Sequence, residues 1–176
     1  MNALLLHNHG RKGAEFARGV LTDLGVSCVM VDGSRLPDPS NRRVILVSNH
    51  PLGGLDGMAL IAMVTDHYGV EPWFLVTDLL MAVEPLRCVF LPVNKHGRQN
   101  RSEVDAMDRA MRSDRPVIIF PAGLVSRRRP DGSIADLEWR KKFVDLAVRY
   151  QRDVVPMHVF ARNSDFFYKF AARRER

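Results

Sequence analysis

Residues 48–57 read Ser-Asn-His-Pro-Leu-Gly-Gly-Leu-Asp-Gly, and two of them, His50 and Asp56, form a pair able to move a proton. A carboxylate that accepts from Nδ1–H of an imidazole fixes the tautomer and raises the basicity of Nε2. The product is a general base for a hydroxyl or amine nucleophile. The separation works only if the chain turns back on itself, and Pro51, Gly53 and Gly54 supply the residues for that turn. The same pair also suits a plain helix cap or a satisfied hydrogen bond, so the surrounding elements must discriminate.

Those elements alternate. Residues 10–25 carry an apolar stripe at Ala17, Val20, Leu21 and Leu24 with Gly25 as a stop, which predicts a helix. Val26 to Val31 reads as a short strand, followed by polar turns. Val44 to Val47 is a continuous apolar run, the pattern of a strand buried on both faces. Leu55 to Tyr68 has the length of a helix and is apolar nearly all round. Trp73–Val76, Cys88–Val93, Val117–Phe120 and Val154–Phe160 read as further strands, with helices over Ser102–Arg112 and Asp136–Gln151. This alternation predicts an α/β layered domain with a mostly parallel sheet flanked by helices.

The 176 residues suit a single domain, with an N-terminal helical segment to residue 25, a core over 26–160 and a basic, aromatic tail over 161–176. A composition 46% hydrophobic and 26% charged is that of a folded globular chain. The net charge of +6 favours anionic partners: a membrane surface, phosphate or nucleic acid. Nucleic acid ranks last, because no reading motif and no interleaved aromatics accompany the charge. Cys28 and Cys88 lie far apart in apolar stretches and read as buried thiols in a reducing compartment. His7-Asn8-His9 has no partner ligands at zinc spacing, so no metal is expected. Met1–Leu6 is too short and lacks the basic leader of a signal peptide, and no run reaches the length of a membrane span. A protein of this kind that works on lipid sits on the membrane, at its cytoplasmic face, rather than across it.

In open parallel sheets, ligands bind beyond the carboxyl ends of the strands. That rule selects His50, the segment Asn94-Lys95-His96, residues Gly123 to Arg127, and the stretch after Val159. Leu91-Pro-Val-Asn-Lys-His-Gly-Arg98 and Phe120-Pro-Ala-Gly-Leu-Val-Ser-Arg127 place cations and a glycine turn there. Together they suit an anionic ligand held near the histidine by side-chain cations and backbone N–H groups.

Four segments then resemble, in order, the blocks of the glycerophospholipid (lysophosphatidate-type) acyltransferase family, whose hallmark is His-x4-Asp. They are Asn49-His50-Pro51-Leu52-Gly53-Gly54-Leu55-Asp56, Phe90–Lys95, Phe120-Pro121-Ala122-Gly123 with Ser126 and Arg127 beyond, and Val155-Pro156. Phe120–Arg127, Asp136-Leu-Glu-Trp-Arg-Lys and Asn163-Ser-Asp-Phe-Phe-Tyr further resemble its hemolysin-like branch of acyltransferases, tied to ornithine and glycine lipids. Members of that branch extend beyond both ends of this sequence, which makes it a short form or a fragment. The label implies no pore.

The resemblance implies transfer of a fatty acyl group from an acyl carrier protein or coenzyme A thioester, without a further cofactor. The acceptor is a hydroxyl or amine of a lysophospholipid or amino-acid lipid. His50 becomes the base and Asp56 its orienting partner. Gly53 and Gly54 become candidate oxyanion donors. Asn94, Lys95, Arg98, Phe120, Pro121, Gly123, Ser126 and Arg127 become the substrate-binding set. Three departures stand out: five residues instead of four separate His50 from Asp56, Ala122 replaces an acidic residue, and Lys95 stands where arginine is usual. They are compatible with acyl transfer but put glycerol 3-phosphate or lysophosphatidate in doubt as acceptor. The rival readings are a thioester hydrolase using the same pair on water, and a non-catalytic module for anionic membranes.

Overall fold

A computed structural model describes residues 2–93 and 101–174. Two short helices, α1 (Asn2–His7) and α2 (Gly13–Asp23), precede strand β1 (Val44–Ser48) and helix α3 (Gly54–Tyr68). Strands β2 (Trp73–Thr77) and β3 (Phe90–Val93) follow, then α4 (Arg101–Arg112) and β4 (Val117–Ile119). A small antiparallel hairpin, β5 (Arg127–Arg128) with β6 (Ile134–Ala135), leads to α5 (Lys142–Tyr150), β7 (Asp153–Met157) and α6 (Asp165–Arg174).

Five strands form one parallel sheet in the order β3-β2-β4-β1-β7. Strand side chains alternate between faces, and the core divides accordingly. Val44, Leu46, Phe74, Val76, Ile118 and Val155 pack on α2 and α3. Ile45, Val47, Val117 and Ile119 pack on α4 and α5 through Met111, Leu146, Ala147 and Tyr150. Burial on both sides is why β1 and β4 read as unbroken apolar runs. The crossover from β1 to β2 carries α3 over the first face. Those from β3 to β4 and from β4 to β7 run the other way and carry α4 and α5 over the second, so all three keep one hand. Neighbouring β1 and β4 therefore send the chain off in opposite directions, which makes the crevice beyond their carboxyl ends the switch point of the sheet.

The register brings the strand ends level: Val47 lies opposite Ile119, Ser48 opposite Met157, and Thr77 opposite Val93. At the other end of the sheet, the buried Arg152 guanidinium donates to the carbonyls of Val44, Ala110, Met111, Ser113 and Arg115. Three of those belong to the last turn of α4 and the residue after it, where carbonyls have no intrahelical partner. Burial pulls this guanidinium down to about 10, still well above neutral pH.

The sequence expectations need four corrections. Val26–Val31 forms no strand: it pairs with neither sheet edge, and Val29 and Val31 are 80% and 86% exposed. β-Propensity without an edge to join does not make a strand. The Asp136–Gln151 helix begins only at Lys142, because Asp136 to Arg140 is held by side-chain and loop contacts described below. The strand expected from Cys88 begins at Phe90, after a 3-10 turn at Glu84–Leu86. Both cysteines are exposed rather than buried. By contrast, α2 stops at Gly25 as expected: Gly25 has φ +63, and Val26 N–H reaches back to the Leu21 carbonyl.

Candidate active site

The chain leaves β1 at Ser48, and the next residue is pinned at once. Asn49 donates from Nδ2 to the Val159 carbonyl at 3.0 Å and accepts the Val159 N–H on Oδ1 at 2.7 Å. His50 follows at the switch point. The turn after it depends on Gly53, whose φ of +83 and ψ of −125 lie in a region open essentially to glycine. A Cβ there would also sit 3.3 Å from a Val125 methyl. This turn absorbs the extra residue between His50 and Asp56.

Asp56 is the third residue of α3, and its carboxylate organises the turn. Oδ2 accepts from Leu52 N–H at 2.7 Å, from Gly53 N–H at 3.0 Å, and meets His50 Nδ1 at 3.1 Å. The bond to the Gly53 N–H is the carboxylate half of a capping box. One oxygen thus serves both the cap and the contact to the histidine. Asp56 Oδ1 is buried and has no hydrogen-bond partner among the described residues. A carboxylate accepts, so the contact suits an Nδ1–H, and in a neutral ring that tautomer leaves the lone pair on Nε2. No described residue hydrogen-bonds Nε2, and the His50 side chain is 17% exposed against 0% for Asp56. The arrangement is a buried acceptor behind a histidine whose far nitrogen has no hydrogen-bond partner among the described residues.

The strand next door supplies the ring's platform. Phe120, directly after β4, stacks on His50 with centroids 3.9 Å apart and planes 20° apart, and it meets Phe74 edge-on at 5.4 Å. Pro121 and Ala122 are buried. Gly123, at φ +67, closes the turn with its N–H on the Phe120 carbonyl. The buried Ala122 puts a methyl where the resembling family has a carboxylate, so this turn brings no acidic group to the site. Of the two glycines read as oxyanion donors, Gly53 has its N–H committed to Asp56, whereas Gly54 stands exposed at the first position of α3.

The remaining expected residues divide. Ser126 is 3% exposed; its N–H donates to the His50 carbonyl at 2.8 Å and its hydroxyl to Asp136 Oδ1 at 2.5 Å. Its contacts are with the protein beneath the histidine. Arg127 is half-buried, donates to the Val125 carbonyl at 2.7 Å and lies 5.8 Å from the Phe167 ring centre. Arg128 pairs with Asp165 and lies over Tyr168. The basic run therefore ties the hairpin to α6. Asn94, Lys95 and Arg98 lie outside the described residues, just past the end of β3.

Sequence reasoning assigned no site role to Asn49, Asp136, Trp139 and Asn163. Asp136 accepts the His50 N–H at 3.1 Å and the Trp139 indole N–H at 3.0 Å, and Asn163 donates to the Pro51 carbonyl at 2.7 Å. Asn49 lies in the His-x4-Asp block, and the other three lie in segments that resemble the hemolysin-like branch; nothing else in the sequence pointed to them. A cleft of about 380 Å³ opens beside this network, bounded by Asn49, Pro51, Ser126, Asp136, Trp139 and Phe160 among others. Among the described residues, no group of three His, Cys, Asp or Glu side chains could hold a metal ion.

A parallel sheet with an Asp-backed histidine at its switch point is the core expected of the acyltransferases that the motifs resemble, and the comparison agrees. A family model described as Acyltransferase matches residues 2–176, and the chain belongs to that family. Among curated proteins, it is similar to the lyso-glycine lipid O-acyltransferase of Phocaeicola vulgatus, 40% identical over 171 residues. It is likewise 39% identical to the protein of that name from Bacteroides thetaiotaomicron. Each match covers 97% of this chain but 60% and 62% of those proteins, so the chain spans about three-fifths of the curated relatives it matches.

Proposed function

We propose that this chain carries the catalytic core of a lipid O-acyltransferase, moving a fatty acyl group from a thioester of acyl carrier protein or coenzyme A to a hydroxyl of a lyso-glycine-type lipid. The observation that carries the reading is His50 at the switch point of the sheet, held 3.1 Å from the buried Asp56, with Nε2 unpartnered among the described residues. Nε2 takes the proton of the acceptor hydroxyl as its oxygen attacks the thioester carbonyl. Asp56 holds the Nδ1–H and balances the imidazolium charge. Collapse of the tetrahedral species breaks the carbon–sulfur bond, and the proton passes from Nε2 to the departing thiolate. No acyl-enzyme is needed: the Ser126 hydroxyl is engaged with Asp136, and neither cysteine lies in a motif of the family.

Oxyanion stabilisation falls to the exposed Gly54 N–H and the positive end of α3, since Gly53 is engaged. The acceptor's anionic end is assigned to Asn94, Lys95, Arg98 and Arg127, and contact with the rest of the substrate to Phe120, Pro121 and Gly123. A hydroxyl acceptor, rather than an amine, is the choice the relatives' name supports.

No helix among the described residues is long and apolar enough to cross a membrane. The contact with lipid is assigned to the face of α6 that carries Phe166 and Phe170, 77% and 51% exposed, with Lys169 beside them and Phe160 nearby in the chain. Exposed aromatics among cations suit a headgroup boundary of anionic lipid. Tyr168 on the same helix is buried, so the aromatic triplet divides between packing and surface.

The test offers radiolabelled acyl-carrier-protein thioester with lyso-glycine lipid or lysophosphatidate, each in anionic vesicles, and once with no acceptor. Label moving to lyso-glycine lipid, with little free fatty acid when the acceptor is left out, supports the proposal. Equal release of fatty acid with and without acceptor makes the protein a hydrolase and overturns it.

A further inference from the structure

The peptide unit of His50 is held on both sides as firmly as its ring. Its N–H donates to Asp136 Oδ1 at 3.1 Å, and its carbonyl accepts the Ser126 N–H at 2.8 Å. The Ser126 hydroxyl closes the loop by donating to that same Asp136 oxygen at 2.5 Å, and the Trp139 indole holds Asp136 Oδ2 at 3.0 Å. One residue earlier, Asn49 exchanges two bonds with Val159; one residue later, Asn163 holds the Pro51 carbonyl. Residues 49, 50 and 51 are thus each tied to a separate stretch of chain.

We infer that Asp136, acting with Ser126, is a positioning residue for His50. It touches no reacting atom. It fixes the histidine backbone so that Nδ1 stays within bonding distance of Asp56 while the ring lies flat on Phe120. The need for such a clamp is local. The following turn contains a residue more than the resembling family's block and passes through a glycine at φ +83, a conformation that leaves the chain free to swivel once its anchors are removed. The clamp also accounts for three segments that share no obvious chemistry. Ser126, Asp136 with Trp139, and Asn163 lie in separate parts of the sequence, yet all converge on the backbone of residues 49–51. It further explains why the helix expected from Asp136 is delayed: the residue's carboxylate serves the histidine turn, and Arg140 N–H serves the Pro121 carbonyl.

The account ranks three substitutions. Asp136→Ala removes the acceptor for both His50 N–H and Ser126. Asp136→Asn keeps an acceptor oxygen for both of them and gives up only the bond from the Trp139 indole, a residue 36% exposed. Ser126→Ala removes the hydroxyl bond but leaves the backbone bond to the His50 carbonyl. Misplacement of a catalytic group by about 1 Å costs about 100-fold in rate. Asp136→Ala is therefore expected to lose about that factor in kcat with KM nearly unchanged, Ser126→Ala a smaller share of it, and Asp136→Asn to regain most of it.

The decisive readout does not depend on activity. Nitrogen-15 NMR of imidazole-labelled protein, with the His50 signal assigned by its loss in His50→Gln, reports the tautomer directly. The wild type and Asp136→Asn are expected to show protonated Nδ1 and unprotonated Nε2, and Asp136→Ala a mixture. A wild-type His50 signal in Asp136→Ala overturns the inference, as does an Asn variant as disturbed as the Ala variant. Should Asp136→Ala not fold, Ser126→Ala decides: an unchanged His50 signal there overturns the clamp. Because the kcat arm rests on the proposed acyl transfer and the NMR arm does not, failure of one is separable from failure of the other.

Discussion

Replacing Asp56 by Asn tests the catalytic reading with little damage to the fold. The amide oxygen can occupy the place of Oδ2 and keep the Leu52 and Gly53 N–H groups, now bonded at 2.7 and 3.0 Å. The amide nitrogen then falls where the buried Oδ1 lies, which has no described partner. One orphaned donor costs about 1–3 kcal/mol, or roughly 2–12 °C of melting temperature in a chain of this size. The catalytic loss is larger. Across 3.1 Å, a carboxylate and an imidazolium attract by about 5 kcal/mol at an effective dielectric of about 20. The imidazolium charge is spread over the ring and His50 is 17% exposed, so about 3–4 kcal/mol is expected to survive screening. At about 1.4 kcal/mol per decade, Asp56→Asn should lose about 10²–10³-fold in turnover. Single-turnover acyl transfer measured beside a thermal melt separates the two effects. A folded Asp56→Asn variant within about fivefold of wild-type turnover refutes the orienting role.

Other outcomes follow from the same geometry. Arg152→Met removes one donor from each of five carbonyl oxygens, in a site where Arg152 is 4% exposed. A loss of about 3–5 kcal/mol is expected in urea melts, with activity per folded molecule unchanged; a loss below about 1 kcal/mol would contradict the staple. Although Cys28 as a residue is exposed, partial desolvation of its thiol by the surrounding protein, and second the negative charge of Asp56, raise it above its usual range. Asp56→Asn should therefore speed alkylation of Cys28 at mildly alkaline pH in a Cys88→Ser background, and an unchanged rate would contradict that coupling.

What the sequence made legible was whatever the fold expresses locally. Val44–Val47 and Val117–Phe120 announced buried parallel strands because both of their faces are covered, and His50 was placed at a strand end by the run that precedes it. The Gly53-Gly54 pair predicted a turn that folds Asp56 back on the histidine, and it does. The losses are non-local. The Val26–Val31 run has strand composition, but whether an edge is free to receive it is a property of the whole sheet. Asp136–Arg140 has helical character, but its carboxylate is claimed by a backbone 86 positions away. Ser126 and Arg127, read from the sequence as substrate-binding, also take part in contacts that hold the His50 turn and α6, which no local pattern announced. Their types were right for anion binding; only the packing shows what each meets. The cysteines failed for a simpler reason, since an apolar neighbourhood in sequence does not fix which side of the chain faces inward.

The central claim is that His50 is the base of an acyl transfer. The most direct measurement compares the folded His50→Ala variant with wild type for transfer of acyl label from carrier-protein thioester to lyso-glycine lipid. General-base catalysis contributes about 10²–10⁴-fold, so the account predicts a loss of at least that order with the melting temperature preserved. A folded His50→Ala protein that transfers acyl groups at the wild-type rate contradicts it.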